Sequence, residues 1–492
     1  MTTDEGSSKV PTMVLFDQNK KFHSFGYEAQ NKYEKLLSRD NHREWYLFTD
    51  FKMTLFQSKE LKENTPVKDI QEKIEMPAID VFANAIGFIK NKLQEDLDKR
   101  DSGIRESDIH WVLTVPAIWN DSAKQFMRNA AIKAGILDEM LSLALEPEAA
   151  SVYCMESFPC VGKVGTRYII LDLGGGTADI TCHKVVEGGL KELKGPEGGR
   201  FGGTNFWEMM ADFEMSKRKF DNLENDQLIV KFPPRLYEIY GEHESIDDVL
   251  QKAGCSEDIK IKQGKMRILK DKGQWIFDET IDQVIERTQS LLNALEDVDY
   301  IVLVGGFSES KYLRTRMKAE FGDKVVEPTE PRTAVMRGAV LFGHNPAAIQ
   351  TRVSKYTYGI ATMKHFEPGL HSEQKRILIG GRAYCDDIFE KHVTIGQEII
   401  VGQSMKEITY HPTIAKQTQA TLQVFASSKE DPEYVTDEGC QHVGSLLVEM
   451  DTGGNRNFKI KVKLIFGGTE IQVKVRDEHG IVIKDAKMKF LD

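Results

Sequence analysis

The sequence predicts an α/β fold followed by a β-rich region, and three observations support this prediction. Two apolar runs, residues 169–173 and 300–304, end at glycines, as buried strands do where a chain turns at a sheet edge. Helix-like segments follow strand-like ones along the first 350 residues. Beyond that point, apolar and polar residues alternate with a period of two. The first pattern is typical of an α/β sheet, and the second of antiparallel strands with one buried face.

The first clear strand and helix pair lies at residues 111–134. The apolar run 111–115 predicts a strand, and residues 121–134 predict a helix. Asn120 or Asp121 is the expected N-cap, and Gly135 the expected stop. The polar groups after this strand therefore lie at its carboxyl end, where α/β sheets bind ligands.

A second strand ends at an acid. Residues 143–145 are apolar, Glu146 follows, and Pro147 can open a helix because it needs no intrahelical donor there. Glu146 then has two open interpretations: it helps to hold a cation at the strand end, or it stabilises the helix through the helix dipole. The two roles are compatible.

The turn after residues 169–173 predicts a phosphate cradle. Asp172 ends the strand, and Gly174, Gly175 and Gly176 can adopt positive φ and turn backbone N–H groups toward phosphate oxygens. Thr177 adds a hydroxyl, and Asp172 can hold a hydrated cation. An ordinary hairpin turn is the alternative for the glycines alone. Asp179 is expected to stabilise the turn or to act behind Asp172.

The region after residue 350 is expected to form a separate β-rich unit. Asn345 and Pro346 mark the break, and the segments 421–425, 459–464 and 470–475 alternate apolar and polar residues. We therefore divide the chain into two domains, residues 1–350 and residues 356–492.

These blocks, taken in order, resemble the nucleotide-binding domain of the seventy-kilodalton heat-shock chaperones, within the actin-like ATPase superfamily. Residues 171–179 resemble the second phosphate loop of that family, 302–306 its adenosine loop, and 201–206 the turn before its fourth subdomain. Residues 22–27 and 355–359 point to a divergent branch of the family. The resemblance implies an actin-like, two-lobed domain at 1–350 and a peptide-binding β domain at 356–492, here without the helical lid.

The same resemblance implies ATP and Mg²⁺ as cofactors and assigns residues to them. Lys52 falls where the family has the lysine that reaches the γ-phosphate, and Asp172 and Glu146 where carboxylates hold Mg²⁺ through water. Catalytic roles are thereby implied for Asp172, Glu146 and Lys52. Nucleotide contacts are implied for Gly174, Gly175, Gly176, Thr177, Gly202, Gly203, Gly305 and Gly306.

Three departures from the family pattern limit what we expect of the activity. The chain enters what resembles the third strand of the family at Pro11, so we expect the first phosphate loop, with its Asp-x-Gly-Thr turn, to be absent. The acidic-leucine linker between the domains is also missing, as is the lid. The expected function is an ATP-binding, chaperone-like protein with weak or impaired hydrolysis. The alternative is a non-enzymatic pseudo-ATPase that acts as an adaptor for protein partners.

The part of the predicted site that would hold the adenine base also departs from the family pattern. Glu309 stands where the family has an arginine that stacks on adenine. Phe307 either contacts the base or packs into the sheet. Lys262, Lys265 and Arg267 form either a clamp on the nucleotide or a solvated basic face.

Composition excludes several classes of protein. A net charge of −11 argues against a surface for nucleic acid or anionic membrane, so the expected partners are ATP or ADP, protein or peptide clients and co-chaperones. The six cysteines show no metal-binding spacing. The N-terminus has no signal-peptide pattern and no apolar run spans a bilayer, so a cytoplasmic location is expected.

Overall fold

The computed structural model describes residues 9–37, 39, 41–57, 61–100, 102–174, 177–199, 227–231, 246–252, 254–262, 265–403, 406–412, 416–450, 452, 455, 457–466 and 468–488.

The N-terminal part combines small sheets with helices. Its elements are β1 (Met13–Phe16), β2 (Phe22–Phe25), α1 (Tyr27–Leu37), β3 (Tyr46–Thr49), α2 (Lys52–Gln57), β4 (Pro66–Lys68), β5 (Glu75–Pro77), α3 (Ala78–Lys99), β6 (Trp111–Val115), α4 (Asp121–Lys133), β7 (Leu141–Leu145) and α5 (Glu146–Ser157). Strands β2-β1-β3 form one sheet, β4-β5 another, and β6-β7 a parallel pair. An apolar core between β1, α3 and α4, which includes Phe16, Phe82 and Phe126, joins them.

The predicted N-cap of α4 is confirmed. The side-chain oxygen of Asn120 accepts a hydrogen bond of 2.9 Å from the Ala123 amide, which satisfies a donor that the first helical turn leaves without a partner. Strand β6 therefore ends at Val115, and the short segment 116–119 connects it to the helix. This segment contributes to the site described below.

The central part is built on one large sheet. Its elements are β8 (Arg167–Leu173), β9 (Ala178–Val186), β10 (Gly189–Gly199), β11 (Gln227–Lys231), α6 (Ile246–Lys252), β12 (Ile259–Lys262), β13 (Lys265–Leu269), α7 (Lys270–Ala294), β14 (Tyr300–Val304), α8 (Lys311–Phe321), β15 (Val325–Val326) and α9 (Ala334–His344). The sheet order is β15-β14-β8-β9-β10, continued by two later strands, and β11-β13-β12 form a small separate sheet. The buried strands β8 and β14 run parallel, so their carboxyl ends meet at one edge.

The remaining described residues form mostly strands. These are β16 (Ile349–Val353), β17 (Thr357–His365), β18 (Arg376–Ile379), β19 (Arg382–Val393), β20 (Glu398–Ile400), β21 (Ile408–Tyr410), β22 (Gln419–Ser427), β23 (Cys440–Glu449), β24 (Ile460–Ile465), β25 (Gln472–Arg476) and β26 (Val482–Lys487). The sheets β18-β19-β17-β22-β23 and β21-β24-β25-β26 share one apolar core, which includes Val424, Val448, Val462 and Val473. In β24 buried and half-buried residues alternate, which confirms the predicted period of two. Strands β16 and β20 instead extend the large central sheet.

The β-rich residues contact the N-terminal part at α4. Arg128 donates hydrogen bonds to Glu470 (2.6 Å) and to Asp138 (2.5 Å), although its side chain is almost fully buried. The Tyr358 hydroxyl donates to Asp121 at 3.0 Å. The start and middle of α4 are thus held by residues more than 200 positions later in the chain.

No helix in the described ranges has the length and apolar character needed to cross a membrane.

Candidate functional site

The turn between β8 and β9 begins at a buried acid. Asp172 is 7% exposed and lies opposite Asp179 in the antiparallel register. The Gly174 amide donates a hydrogen bond of 2.9 Å to the Thr177 carbonyl, which closes the turn. Two carboxylates therefore lie side by side at the carboxyl end of β8.

Gly305 brings a second turn against Asp172. Strand β14 is parallel to β8, with Val304 next to Asp172, and Gly305 follows with a φ of +88°. A Cβ at Gly305 would lie 2.5 Å from both Asp172 Oδ1 and the Leu173 carbonyl oxygen. Only glycine permits this close approach, because a side chain would both clash and strain the backbone. The two turns that the sequence singled out therefore lie in contact.

Lys52 and Glu146 meet although they are far apart in sequence. Lys52 Nζ donates a hydrogen bond of 3.2 Å to Glu146 Oε1 and lies 5.6 Å from the centre of the Trp119 ring. Lys52 opens α2, and Glu146 opens α5, whose first turn favours an acid. Glu146 therefore bonds Lys52 while it occupies a favourable position at the start of its helix.

Asp179 joins the central sheet to the segment after β6. It is 1% exposed and accepts a hydrogen bond of 3.0 Å from the Ile118 amide. Ile118 also accepts, through its carbonyl, a hydrogen bond of 3.1 Å from Lys355 Nζ. Ile118, in the N-terminal part, thus contacts both the β8–β9 hairpin and the beginning of the β-rich region.

The electrostatics of the site are dominated by crowded carboxylates. Burial raises the pKa of Asp172, the nearby Glu146 carboxylate raises it further, and Lys9 and Lys52 oppose this shift. Burial, with Glu146 and Asp172 adding to it, raises the pKa of Asp179 to about 8. Desolvation acts to lower the pKa of Lys52, but the Glu146 carboxylate outweighs it and the pKa is raised. Negative charge held this closely favours a bound cation.

Three site residues were not singled out in the sequence analysis. Lys9 approaches Gly306, with its Nζ 3.8 Å from the position of a Cβ there. Arg332 lies 3.6 Å from Glu309, between Nε and Oε2. Trp119 is 3% exposed, and its indole nitrogen has no hydrogen-bond partner among the described residues. Of the three, only Trp119 could have been identified from the sequence, because it follows a strand whose carboxyl end was expected to face the ligand.

The structure decides one of the alternatives on the base side. Phe307 is 2% exposed and lies in the core of the central part with Leu171 and Ile301, so it packs against the sheet and does not face a base. Lys262, Lys265 and Arg267 are exposed on the small sheet, which is compatible with both a clamp on the nucleotide and a solvated basic face. Glu309 stands where the family has an arginine, and Arg332 beside it offsets the negative charge of Glu309.

Four residues assigned from the sequence lie outside the described residues: Gly175, Gly176, Gly202 and Gly203.

The residues present fit a nucleotide with Mg²⁺. The positive-φ turn at Gly305 lies against Asp172, Lys52 supplies a point charge suited to phosphate, and the indole of Trp119 is a buried donor. Asp172 and Glu146 are the oxygen donors that Mg²⁺ prefers, and Mg²⁺ commonly retains water when one or two carboxylates hold it. In the described ranges, three or more His, Cys, Asp or Glu residues nowhere gather as a metal-binding group. Carboxylate contact through water is the arrangement that suits such a site.

Sequence comparison places the chain in a known family. The family model of the Hsp70 protein matches residues 2–355, which is most of the chain. The chain belongs to the Hsp70 family, as the order of its motifs predicted.

Individual relatives agree. The chain is 29% identical to heat shock 70 kDa protein 12A of Mus musculus, over 96% of this chain and 84% of the relative. It is 29% identical to heat shock 70 kDa protein 12B of Homo sapiens, over 95% and 83%. Chaperone protein DnaK of Anaplasma marginale (strain St. Maries) is 27% identical over 51% of this chain and 41% of its own length. The predicted likeness to the divergent 12A branch is confirmed.

Proposed function

We propose that this protein binds ATP with Mg²⁺ and acts as a chaperone-like member of the Hsp70 family with weak or very slow hydrolysis. The observation that carries the proposal is that Asp172 interacts electrostatically with the Lys52–Glu146 pair and contacts the turn at Gly305. These residues bring a cation, buried carboxylates and glycine turns together in one site. Phosphoryl transfer needs little more from a protein than positioning and charge stabilisation.

Each residue has a defined task in this proposal. Lys52 holds the terminal phosphate by its ammonium, and release from Glu146 frees it to do so. Asp172 and Glu146 accept hydrogen bonds from water around Mg²⁺, which when bound neutralises phosphate charge. The amides of the turns at 174–177 and 305–306 orient the phosphates, with Gly175 and Gly176 expected to contribute. Gly202 and Gly203 are proposed to complete the nucleotide contacts.

Weak hydrolysis is supported by a difference between two similar strands. Strand β14 is paired along both edges, by β8 and β15, and residues 301–304 are buried. Within the described residues β6 is paired only by β7, and residues 111–114 are half-buried. Next to β6, Met336 and Val340 of α9 are each 57% exposed. Thus the β8–β9 hairpin, with its acidic glycine turn, lies beside β14. Among the described residues, no such hairpin lies beside β6.

We further propose a two-lobed, actin-like arrangement for residues 1–350 and a β-rich substrate domain for residues 356–492. The hydrogen bonds of Ile118 support a link between them, because they connect Asp179 of the site with Lys355 at the start of the β-rich region. A ligand that shifts Asp179 would thereby alter how the β-rich region is held. Protein or peptide clients are the proposed partners of that region.

A pseudo-ATPase adaptor is the second candidate. Glu309 favours it, since an acid stands where the family has the arginine that stacks on adenine. In that case nucleotide binds weakly, or not at all, and protein surfaces carry the function.

Thermal unfolding with and without Mg-ATP tests the proposal. A ligand at about one hundred times its dissociation constant adds roughly 2.7 kcal/mol of stability. We expect the melting temperature to rise with millimolar Mg-ATP, and to rise less for Asp172→Asn than for Asp323→Asn, a change at an exposed acid. An unchanged melting temperature for the wild type at millimolar Mg-ATP would favour the adaptor.

A further inference from the structure

Lys9 reaches from the N-terminal part into the turn of the central sheet. It precedes β1, yet its Nζ lies 3.8 Å from the position that a Cβ on Gly306 would take. Gly306 has φ −70° and ψ −34°, and apart from its chain neighbours Lys9 Nζ is the one atom of the described residues within 4 Å of that position, so the ammonium lies over an open, unstrained turn. This places Lys9 directly against the turn that the proposed function assigns to nucleotide.

The charges that face Lys9 come from both parts of the molecule. They are the carboxylates of Asp172 and Glu146, the ammonium of Lys52 and the guanidinium of Arg332. Lys52 is bonded to Glu146, and Arg332 lies beside Glu309. The site therefore holds three cations: Glu146 and Glu309 balance Lys52 and Arg332, and Asp172 attracts Lys9.

This arrangement suits a polyanion more than a single ion pair. A chain of phosphates offers several negative oxygens to all three cations at once, and lysine is a common phosphate ligand because its ammonium is a compact charge with three donors.

We propose that Lys9 is a phosphate-binding residue, whose ammonium contacts the β- or γ-phosphate of a nucleoside polyphosphate at Gly306. The inference rests on the proposed function and deepens it. Together with Lys52, Lys9 supplies positive charge that is independent of the metal, so nucleotide binding retains a component that does not require Mg²⁺.

The test is a calorimetric titration of ATP, ADP and AMP into the full chain, in Mg²⁺ and in EDTA. The variants are Lys9→Gln, which removes the charge, Lys9→Arg, which retains it, and Lys21→Gln, a control at an exposed lysine nearby. Thermal unfolding of each variant verifies that it folds.

Lys9→Gln should weaken ATP and ADP binding about ten- to a hundredfold, as expected for a lost charge-assisted hydrogen bond, and should leave AMP nearly unchanged. The loss should be larger in EDTA, and Lys9→Arg should restore most of the affinity. Equal affinities for wild type and Lys9→Gln, or equal losses for AMP and ATP, would overturn the proposal for Lys9 alone. No ATP binding by the wild type in Mg²⁺ would overturn it together with the proposed function.

Discussion

Lys52 Nζ lies 3.2 Å from Glu146 Oε1, across 94 positions of sequence, and this bond joins the start of α2 to the start of α5. Each residue alone has an ordinary structural explanation, as a surface lysine or as an acid in the first turn of a helix. Their contact beside Asp172 is harder to explain without a ligand, since it concentrates charge where the strands β8 and β14 end. The predictions below test this site and the structure that supports it.

Gly305 and Gly306 should respond very differently to alanine. At Gly305 a Cβ would lie 2.5 Å from Asp172 Oδ1 in a backbone with φ +88°, so Gly305→Ala should cost about 1–3 kcal/mol of stability or more and displace Asp172. At Gly306 the nearest atom is 3.8 Å away, so Gly306→Ala should unfold at nearly the wild-type denaturant concentration. Urea unfolding of both variants measures the difference, and equal stabilities would show that the turns do not touch.

Arg352 is expected to be essential for the stability of the fold because it neutralises a buried acid. Its guanidinium donates two hydrogen bonds of 2.6 Å to Glu148, whose side chain is 1% exposed. Arg352→Met should cost about 3–5 kcal/mol, since it leaves a buried charge without its partner, and Arg352→Met with Glu148→Met should recover most of the loss. Arg105→Met, at an exposed pair with Asp108, is the control and should cost less than about 1 kcal/mol. Similar losses of stability for Arg352→Met and Arg105→Met would contradict the assignment of Arg352 as the partner of a buried charge.

Glu192 should make stability depend on pH. Burial, with Glu148 nearby, raises its pKa to about 8 against an ordinary 4.5. Between these values the folded state holds a proton that the unfolded state releases, so this contribution to stability is complete below about pH 4.5 and is lost as the pH rises to about 8.

Glu192→Gln removes this titration and retains an acceptor for the Val353 amide, which donates to Glu192 at 2.7 Å. The variant should therefore match the wild type near pH 5 and melt progressively higher than the wild type toward pH 8.5. Melting curves across this range measure the gap, and a gap independent of pH would show that Glu192 is already ionised at pH 5.

Weak peptide binding is expected at the edge strand β23. This ten-residue strand ends the five-stranded sheet, and Leu447 on it is 48% exposed. An exposed edge binds an extended peptide by strand addition. A labelled apolar peptide should bind the full chain with a dissociation constant in the high micromolar range, and Leu447→Lys should weaken it more than Leu378→Lys on the opposite edge. Without saturable binding, the adaptor becomes the better explanation.

Local structure was readable from the sequence where local chemistry determines it. The helix expected at residues 121–134 forms over Asp121–Lys133, and Asn120 caps it as predicted, because periodicity and capping act within a few positions. The proximity of Lys52 to Glu146 was anticipated only through the family resemblance, since no pattern links residues so distant in sequence.

Lys9 and Arg332 show what the sequence alone did not reveal. Each is a single basic residue among many, and its position in the site results from the packing of the N-terminal part against the central sheet. The burial of Phe307 was likewise open in the sequence, because a phenylalanine after a glycine turn fits either a ligand or a core. Tertiary packing decided it in favour of the core.

The central claim is that Mg-ATP binds at Asp172, and a calorimetric titration of Mg-ATP into wild type and Asp172→Asn tests it most directly. We expect the wild type to bind one Mg-ATP weakly but saturably. Asp172→Asn should bind at least about tenfold more weakly, since it removes a charged acceptor for the water around Mg²⁺, while its fold is retained. Equal affinity in the two proteins, or no binding by the wild type at millimolar Mg-ATP, would contradict the account.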